Sequence, residues 1–231
     1  MRSHLLVAAD DEKKLEAALQ SQADCLWLDL EGPLRLAPRA RELALALLRA
    51  PRQKPLYVRP RSIESGEIDA DLDVVMKGAP DGIVLAQSHG GADVQHLGAK
   101  LALREAEYDL ADGSTRIIAV AAQTPAAIFK MGTYAAASRR LAALCWGPEE
   151  LATAIGAKGP PDGSMSGPYA LARSLTLMAA KAAGVAAIDS IYTDPDRAGL
   201  KAACEAARRD GFTGKVALDA DQAALINAVF A

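Results

Sequence analysis

Several polar side chains follow short apolar runs, and their types suggest one chemistry. Asp29 and Glu31 follow Cys25-Leu-Trp-Leu28, and Arg59 follows Leu56-Tyr-Val58. Gln87 follows Gly82-Ile-Val-Leu-Ala86, and Gln123 closes Arg116 to Ala122. Glu149 and Glu150 come just after Trp146, and Asp219 and Asp221 come just after Lys215 to Leu218. Carboxylates gathered at one opening beside an arginine can hold a hard divalent cation such as Mg²⁺, which uses one or two carboxylates and keeps several waters. The arginine can clamp a carboxylate or phosphate through two parallel bonds. Together such groups polarise a keto-acid or thioester carbonyl and stabilise an enolate. Gln123 is the weak member of the set. A Glu there would bind metal or take a proton, whereas an amide does the first poorly and the second not at all.

Such residues converge only if the runs that carry them are parallel strands ending on one rim. Strand-length apolar runs are read at His4–Ala9, Asp24–Leu30, Leu56–Arg59, Gly82–Ala86, Arg116–Ala122, Arg140–Trp146, Ala186–Thr193 and Lys215–Leu218. Most are continuously apolar, the signature of strands covered on both faces. Amphipathic stretches lie between them, at Asp11–Gln22, Arg39–Ala50, Asp69–Gly78, Ala92–Tyr108, Pro125–Ser138, Glu149–Gly156, Tyr169–Gly184 and Asp196–Gly211. Pro125 suits a first helical turn, and Gly184 and Gly211 suit helix C-caps. The alternation predicts an α/β fold, a (β/α)8 TIM barrel, as a single domain over 1–231, with its chemistry at the C-terminal ends of the strands. A doubly wound open sheet is the alternative, but the first turn, Ala8 to Glu12, has no glycine-rich phosphate loop. The turn-rich segment Lys158 to Pro168 is expected to form a loop at one rim.

Composition narrows the function classes. The net charge is −3 and no basic cluster stands out, so nucleic acid is not an expected partner. No apolar stretch approaches the ~20 residues of a membrane span, and the N-terminal apolar run is too short for a signal core, so a cytoplasmic protein is expected. The three cysteines, Cys25, Cys145 and Cys204, are widely spaced, without a metal-binding pattern, and fit a reducing compartment.

The chain resembles the HpcH/HpaI aldolase and citrate lyase beta-subunit-like superfamily, which includes malyl-CoA lyases. The matching pieces run in order through nearly the whole chain. They are Leu28-Asp-Leu-Glu31, Tyr57-Val-Arg59, Asp81-Gly-Ile-Val-Leu85, Ile117 to Phe129, Leu144-Cys-Trp-Gly147 with Glu150-Leu151, Ala187-Ile-Asp189, and Gly211-Phe-Thr-Gly-Lys215 with Gln222. The resemblance implies a Mg²⁺-dependent carbon–carbon lyase or aldolase on a barrel, acting on a small oxo-acid or acyl-CoA ester. It also implies a homo-oligomer, a trimer or hexamer. Arg59 matches the arginine that contacts substrate, Asp29 and Glu31 match the acidic pair after the second strand, and Gln123 and Glu150 fall at the two metal-ligand positions. The catalytic candidates are therefore Arg59, Asp29 and Glu31. The substrate-binding candidates are Arg59, Gln87 and Trp146, with Trp146 either wall packing or a stacking platform.

The departures from the family pattern matter equally. Gln123 replaces Glu and Glu150 replaces Asp, which leaves Mg²⁺ weakly held or lost. Gly32 follows Glu31 where Asp is usual, Ala86-Gln87 stand where Pro-Lys is common, and Leu218-Asp-Ala220 stand where Ile-His-Pro is common. Many CoA-acting members continue into a C-terminal lid segment with no counterpart here, which makes CoA-ester chemistry a weaker expectation unless a neighbouring subunit closes the site. A catalytically impaired barrel, binding small anions or serving as an assembly subunit, is the alternative. Of Asp29 and Glu31, one is expected to reach the mouth and the other to cap a helix or pair with Arg35 or Arg39. His89 is read as a loop residue in position to titrate.

Overall fold

A computed structural model of the chain describes residues 1–157 and 167–231. Eight parallel strands close into a barrel in sequence order: β1 (Ser3–Ala8), β2 (Cys25–Asp29), β3 (Leu56–Arg59), β4 (Gly82–Leu85), β5 (Arg116–Ala121), β6 (Leu141–Trp146), β7 (Ala186–Asp189) and β8 (Gly214–Ala217). Closure is made by β1 against β8, with Ser3 opposite Lys215 and Leu5 opposite Ala217. The turn-rich segment at 158–168 falls, for residues 158–166, outside the described residues.

Among the described residues the outer layer is α1 (Glu12–Gln20), α2 (Ala37–Arg49), α3 (Ile68–Val75), α4 (Gly91–Glu107), α5 (Pro125–Ile128), α6 (Pro148–Ala154), α7 (Gly167–Ala182), α8 (Arg197–Asp210) and α9 (Ala220–Val229). Local chemistry starts and stops these helices. Asp11, Thr124, Asp196 and Asp219 each accept a backbone N–H of the first turn, and Gly211 ends α8 in the left-handed conformation. None of these helices is long and apolar enough to cross a membrane.

One expectation is corrected, and one helix was not anticipated. The helix expected over Pro125–Ser138 is instead the single turn α5 followed by a 3₁₀ turn at Met131–Tyr134. Tertiary contacts override the helical pattern there. The Tyr134 hydroxyl donates to the Ser88 oxygens, and Thr133 Oγ1 accepts the Gly91 N–H at the start of α4. The terminal helix α9 has apolar residues spread nearly evenly around it, so it gave no amphipathic signal.

The apolar residues sort into two layers. One lies inside the barrel and includes Cys25, Trp27, Tyr57, Val84, Ile118, Val120, Cys145, Ile188 and Val216. The other fills the space between barrel and helices and includes Leu26, Leu28, Leu56, Ile83, Leu144 and Trp146. The alternation along each strand sets this division. Asp29 and Arg59 have the same parity as Trp27 and Tyr57, so they continue the interior layer to its C-terminal rim.

Candidate active site at the barrel mouth

Asp29 and Arg59 are register partners on adjacent strands, and Arg59 Nη1 lies 3.4 Å from Asp29 Oδ2. Asp29 Oδ1 also accepts the backbone N–H of Glu31, turning the chain so that Glu31 meets Arg59 Nη2. Glu150 approaches the same guanidinium nitrogen, with its Oε1 at 3.7 Å. Three carboxylates thus face one arginine. The expectation that only one of Asp29 and Glu31 reaches the mouth is corrected. Positions two apart share a face of a strand, and both acids lie against Arg59. Burial pushes the Glu31 carboxyl above its ordinary range, and the charges of Asp29 and Glu150 push the same way, against the pull of Arg59.

The second arginine of the Arg59-Pro-Arg61 turn has a bracing role. Arg61 is buried, pairs with the fully buried Asp71 at 3.0 Å, and donates to the Gly32 carbonyl at 3.2 Å. It thereby fixes the turn that carries Glu31.

Gln123 is 2% exposed, and its Oε1 accepts the backbone N–H of Gln87 at 2.5 Å. Gln87 and Ala122, which leave β4 and β5, have φ of 53° and 57°, a region non-glycine residues seldom occupy. With its oxygen so committed, Gln123 turns its amide nitrogen toward β6. A Cβ on Gly147 would fall 2.9 Å from that nitrogen and 2.6 Å from Glu150 Oε2. Glycine there lets the two side chains approach each other.

This donor arrangement does not fit the two-ligand magnesium seat expected of Gln123 and Glu150. The Gln123 oxygen is taken by the Gln87 N–H, and Glu150 is left as the one anionic oxygen donor of the pair. Among the described residues, no three Asp, Glu, His or Cys side chains converge to hold a metal ion.

The other candidates fall into place around this centre. Trp146 is 2% exposed and belongs to the outer layer, where its indole N–H donates to Asp189 Oδ1 at 2.8 Å. Its one polar atom is spent on that bond, as wall packing requires, and its ring is also among the residues lining the cavity, so a substrate contact through the ring stands as a proposal. Asp189, buried, also meets Lys215 at 3.2 Å and Arg173 at 3.3 Å, so it anchors the outer layer. Gln87 contributes its backbone N–H to Gln123 and is not among the residues lining the cavity. Asp219 caps α9. His89 lies in the loop after β4, its Nδ1 3.3 Å from Glu64.

Beneath Arg59, Gln123 and Glu150 a cavity of about 270 Å³ descends into the barrel. Its deeper and far walls are Leu6, Trp27, Val120, Ile191, Val216 and Leu218. Reading the sequence for polar strand ends missed these residues. The inward parity of β1 and β8 was the signal that could have found them.

A closed parallel barrel with an arginine and carboxylates on its C-terminal rim defines a class of α/β barrel enzymes and their relatives. The profile of the HpcH/HpaI aldolase/citrate lyase family matches residues 2–220, and the chain belongs to that family. It is 27% identical over 237 residues to the citrate lyase subunit beta of Escherichia coli K12, covering 100% of this chain and 76% of that one. It is 27% identical over 254 residues to the mitochondrial citramalyl-CoA lyase of Rattus norvegicus, covering 99% and 71%. The structure of a citrate lyase beta subunit from Mycobacterium tuberculosis, complexed with oxaloacetate and magnesium, superposes with a TM-score of 0.78 at 24% identity, covering 99% of this chain and 96% of that one. Homologous structures thus contain magnesium, and this likeness establishes the shared fold.

Proposed function

We propose that the chain is a carbon–carbon lyase of the citrate lyase beta type, acting on a small oxo-acid or acyl-CoA ester at the barrel mouth. The observation that carries this reading is Arg59, held by Asp29, Glu31 and Glu150 at the rim of a cavity deep enough for a small molecule. In this reading Arg59 and the Gln123 amide N–H groups donate to the carbonyl oxygen of the bound substrate. Glu31, whose proton affinity is raised, removes the proton from a hydroxyl on the carbon beta to that carbonyl, and the bond that breaks is the one between the alpha and beta carbons. The carbon–carbon bond breaks, that hydroxyl carbon becomes a carbonyl, and the released electron pair moves onto the oxygen facing Arg59. Preorganised donors stabilise the resulting enolate. Magnesium, found in relatives, is held weakly at most here, and no step is assigned to it.

A second reading is a barrel that binds without turnover. It is favoured by the Gln123 amide, which cannot carry the negative charge of a metal ligand. Purified protein, with and without magnesium chloride, would be offered malyl-CoA, citramalyl-CoA and 3-hydroxyacyl-CoA substrates. Cleavage that vanishes in Arg59→Met supports the lyase. Ligand-induced stabilisation without product, for every substrate, replaces it with the binding role.

We further propose that residues 1–231 act as one barrel domain, in the cytoplasm, as a homo-oligomer, a trimer or hexamer. Light scattering on the purified protein tests the assembly. The three cysteines are free and buried, in keeping with a reducing compartment.

A further inference from the structure

The mouth is divided by chemistry. Charged groups from β2, β3 and α6 occupy one half, while Leu6, Ile191, Val216 and Leu218 from the β1, β7 and β8 side form the other. Closed barrels normally fill their interior with side chains. Here the filling is incomplete: Leu6 and Ile191 are only partly buried, and Leu218 is 39% exposed. The apolar half is nevertheless held firmly. Gln222 accepts the Leu218 N–H through Oε1 at 3.0 Å and donates through Nε2 to the Tyr192 carbonyl at 3.1 Å, so one side chain ties together the segments that carry Leu218 and Ile191. Among the described residues the charged half has no free cation to receive a second ligand carboxylate, since Arg59 is already met by three acids.

We infer that the substrate carries an alkyl group, seated over Leu6, Val216 and Leu218, in place of a second carboxylate. The cavity, about 270 Å³, is near the lower end of small-molecule sites of ~300–1,000 Å³, enough for a short chain beside the reacting carbonyl. This deepens the reading of the mouth as an oxo-acid or acyl-ester site and rests on it. It names what distinguishes the substrate from a dicarboxylic acid of equal size.

The test is calorimetric titration of the whole protein, with magnesium chloride present throughout. One series is pyruvate, 2-oxobutyrate, 2-oxovalerate and 2-oxohexanoate. A second is acetyl-, butyryl- and hexanoyl-CoA. Oxaloacetate and 2-oxoglutarate serve as polar controls. Affinity should rise about fourfold for each added methylene in at least one series, the value of burying a CH₂ group. Leu218→Ser, at a partly exposed rim position, should flatten that rise. A flat response in both series, or tighter binding of the dicarboxylates, overturns the inference and leaves the site reading standing. No binding by any probe overturns the site reading itself, and the inference with it.

Discussion

Gln123 Oε1 accepts the backbone N–H of Gln87, tying the end of β5 to the left-handed turn that leaves β4. The bond satisfies a buried donor and holds two unusual backbone conformations side by side. Replacing the acceptor exposes what it does. Gln123→Leu leaves the Gln87 N–H unpaired and should cost about 1–3 kcal/mol, read as a lower midpoint in urea denaturation with an unchanged slope. A neutral result would mean that water or another group satisfies that N–H.

The same residue controls the metal. Gln123→Glu keeps an acceptor for Gln87 and adds a carboxylate beside Glu150. The parent should show Mg²⁺ binding no tighter than about millimolar, roughly −4 kcal/mol. The variant should bind at least about tenfold tighter, a gain of about 1.4 kcal/mol. Calorimetry on chelator-treated protein decides, and strong binding by the parent would mean that Gln123 and Glu150 seat the ion as they stand.

Glu31 should make the mouth pH-sensitive. Its folded carboxyl holds its proton more tightly than an ordinary Glu, for which the value is about 4.3. The stability this contributes is fully present below that ordinary value and is lost as pH rises through the raised folded value. Glu31→Gln mimics the protonated form. Its melting temperature should match the parent near pH 4 and exceed it at pH 8, while lyase turnover is lost. A variant less stable than the parent at pH 8 would mean that the Arg59 pair outweighs burial and like-charge repulsion.

Glu105 should behave oppositely. It is buried at the foot of β5 and β6, and burial raises its carboxyl. Arg140 and the N–H groups of Thr115 and Gly113 overcome that and bring it down to about 2. The stability it contributes is present above the ordinary Glu value and is lost as pH falls toward 2. Glu105→Gln leaves the Arg140 charge buried with one partner fewer, and should cost about 3–5 kcal/mol at neutral pH. The penalty should shrink in acid, as melts between pH 7 and pH 2 would register.

Trp146→Phe removes the hydrogen bond to Asp189 and some packing in the outer layer. A loss of about 1–2 kcal/mol is expected, with ligand affinity unchanged. A large loss of affinity with normal stability would show that the Trp146 ring contacts the ligand.

Strand order and the rim residues were legible because most of the parallel strands are continuous apolar runs with a polar residue at or just after their end. Leu56–Arg59 is matched residue for residue. Arg59, Asp29 and Glu31 followed from that reading. What the pattern did not carry was partnership. Trp146 and Gln123 have inconspicuous sequence neighbours, and their roles are set by Asp189 and Gln87, which the fold delivers from distant segments. The helix expected over Pro125–Ser138 failed for the same reason, since Tyr134 and Thr133 answer to Ser88 and Gly91. The apolar half of the cavity left no trace in a reading that searched for polar residues.

The barrel closes by pairing Ser3 with Lys215, residues nearly the whole chain apart. Until β8 exists, β1 has a bare edge, and such edges invite pairing with other chains. Loop-closure entropy opposes that last contact until neighbouring strands have assembled. During synthesis the nascent sheet therefore stays open and aggregation-prone until β8 has emerged. Its cavity, shaped by Leu6 from one end of the sequence and Leu218 from the other, is among the last features to form.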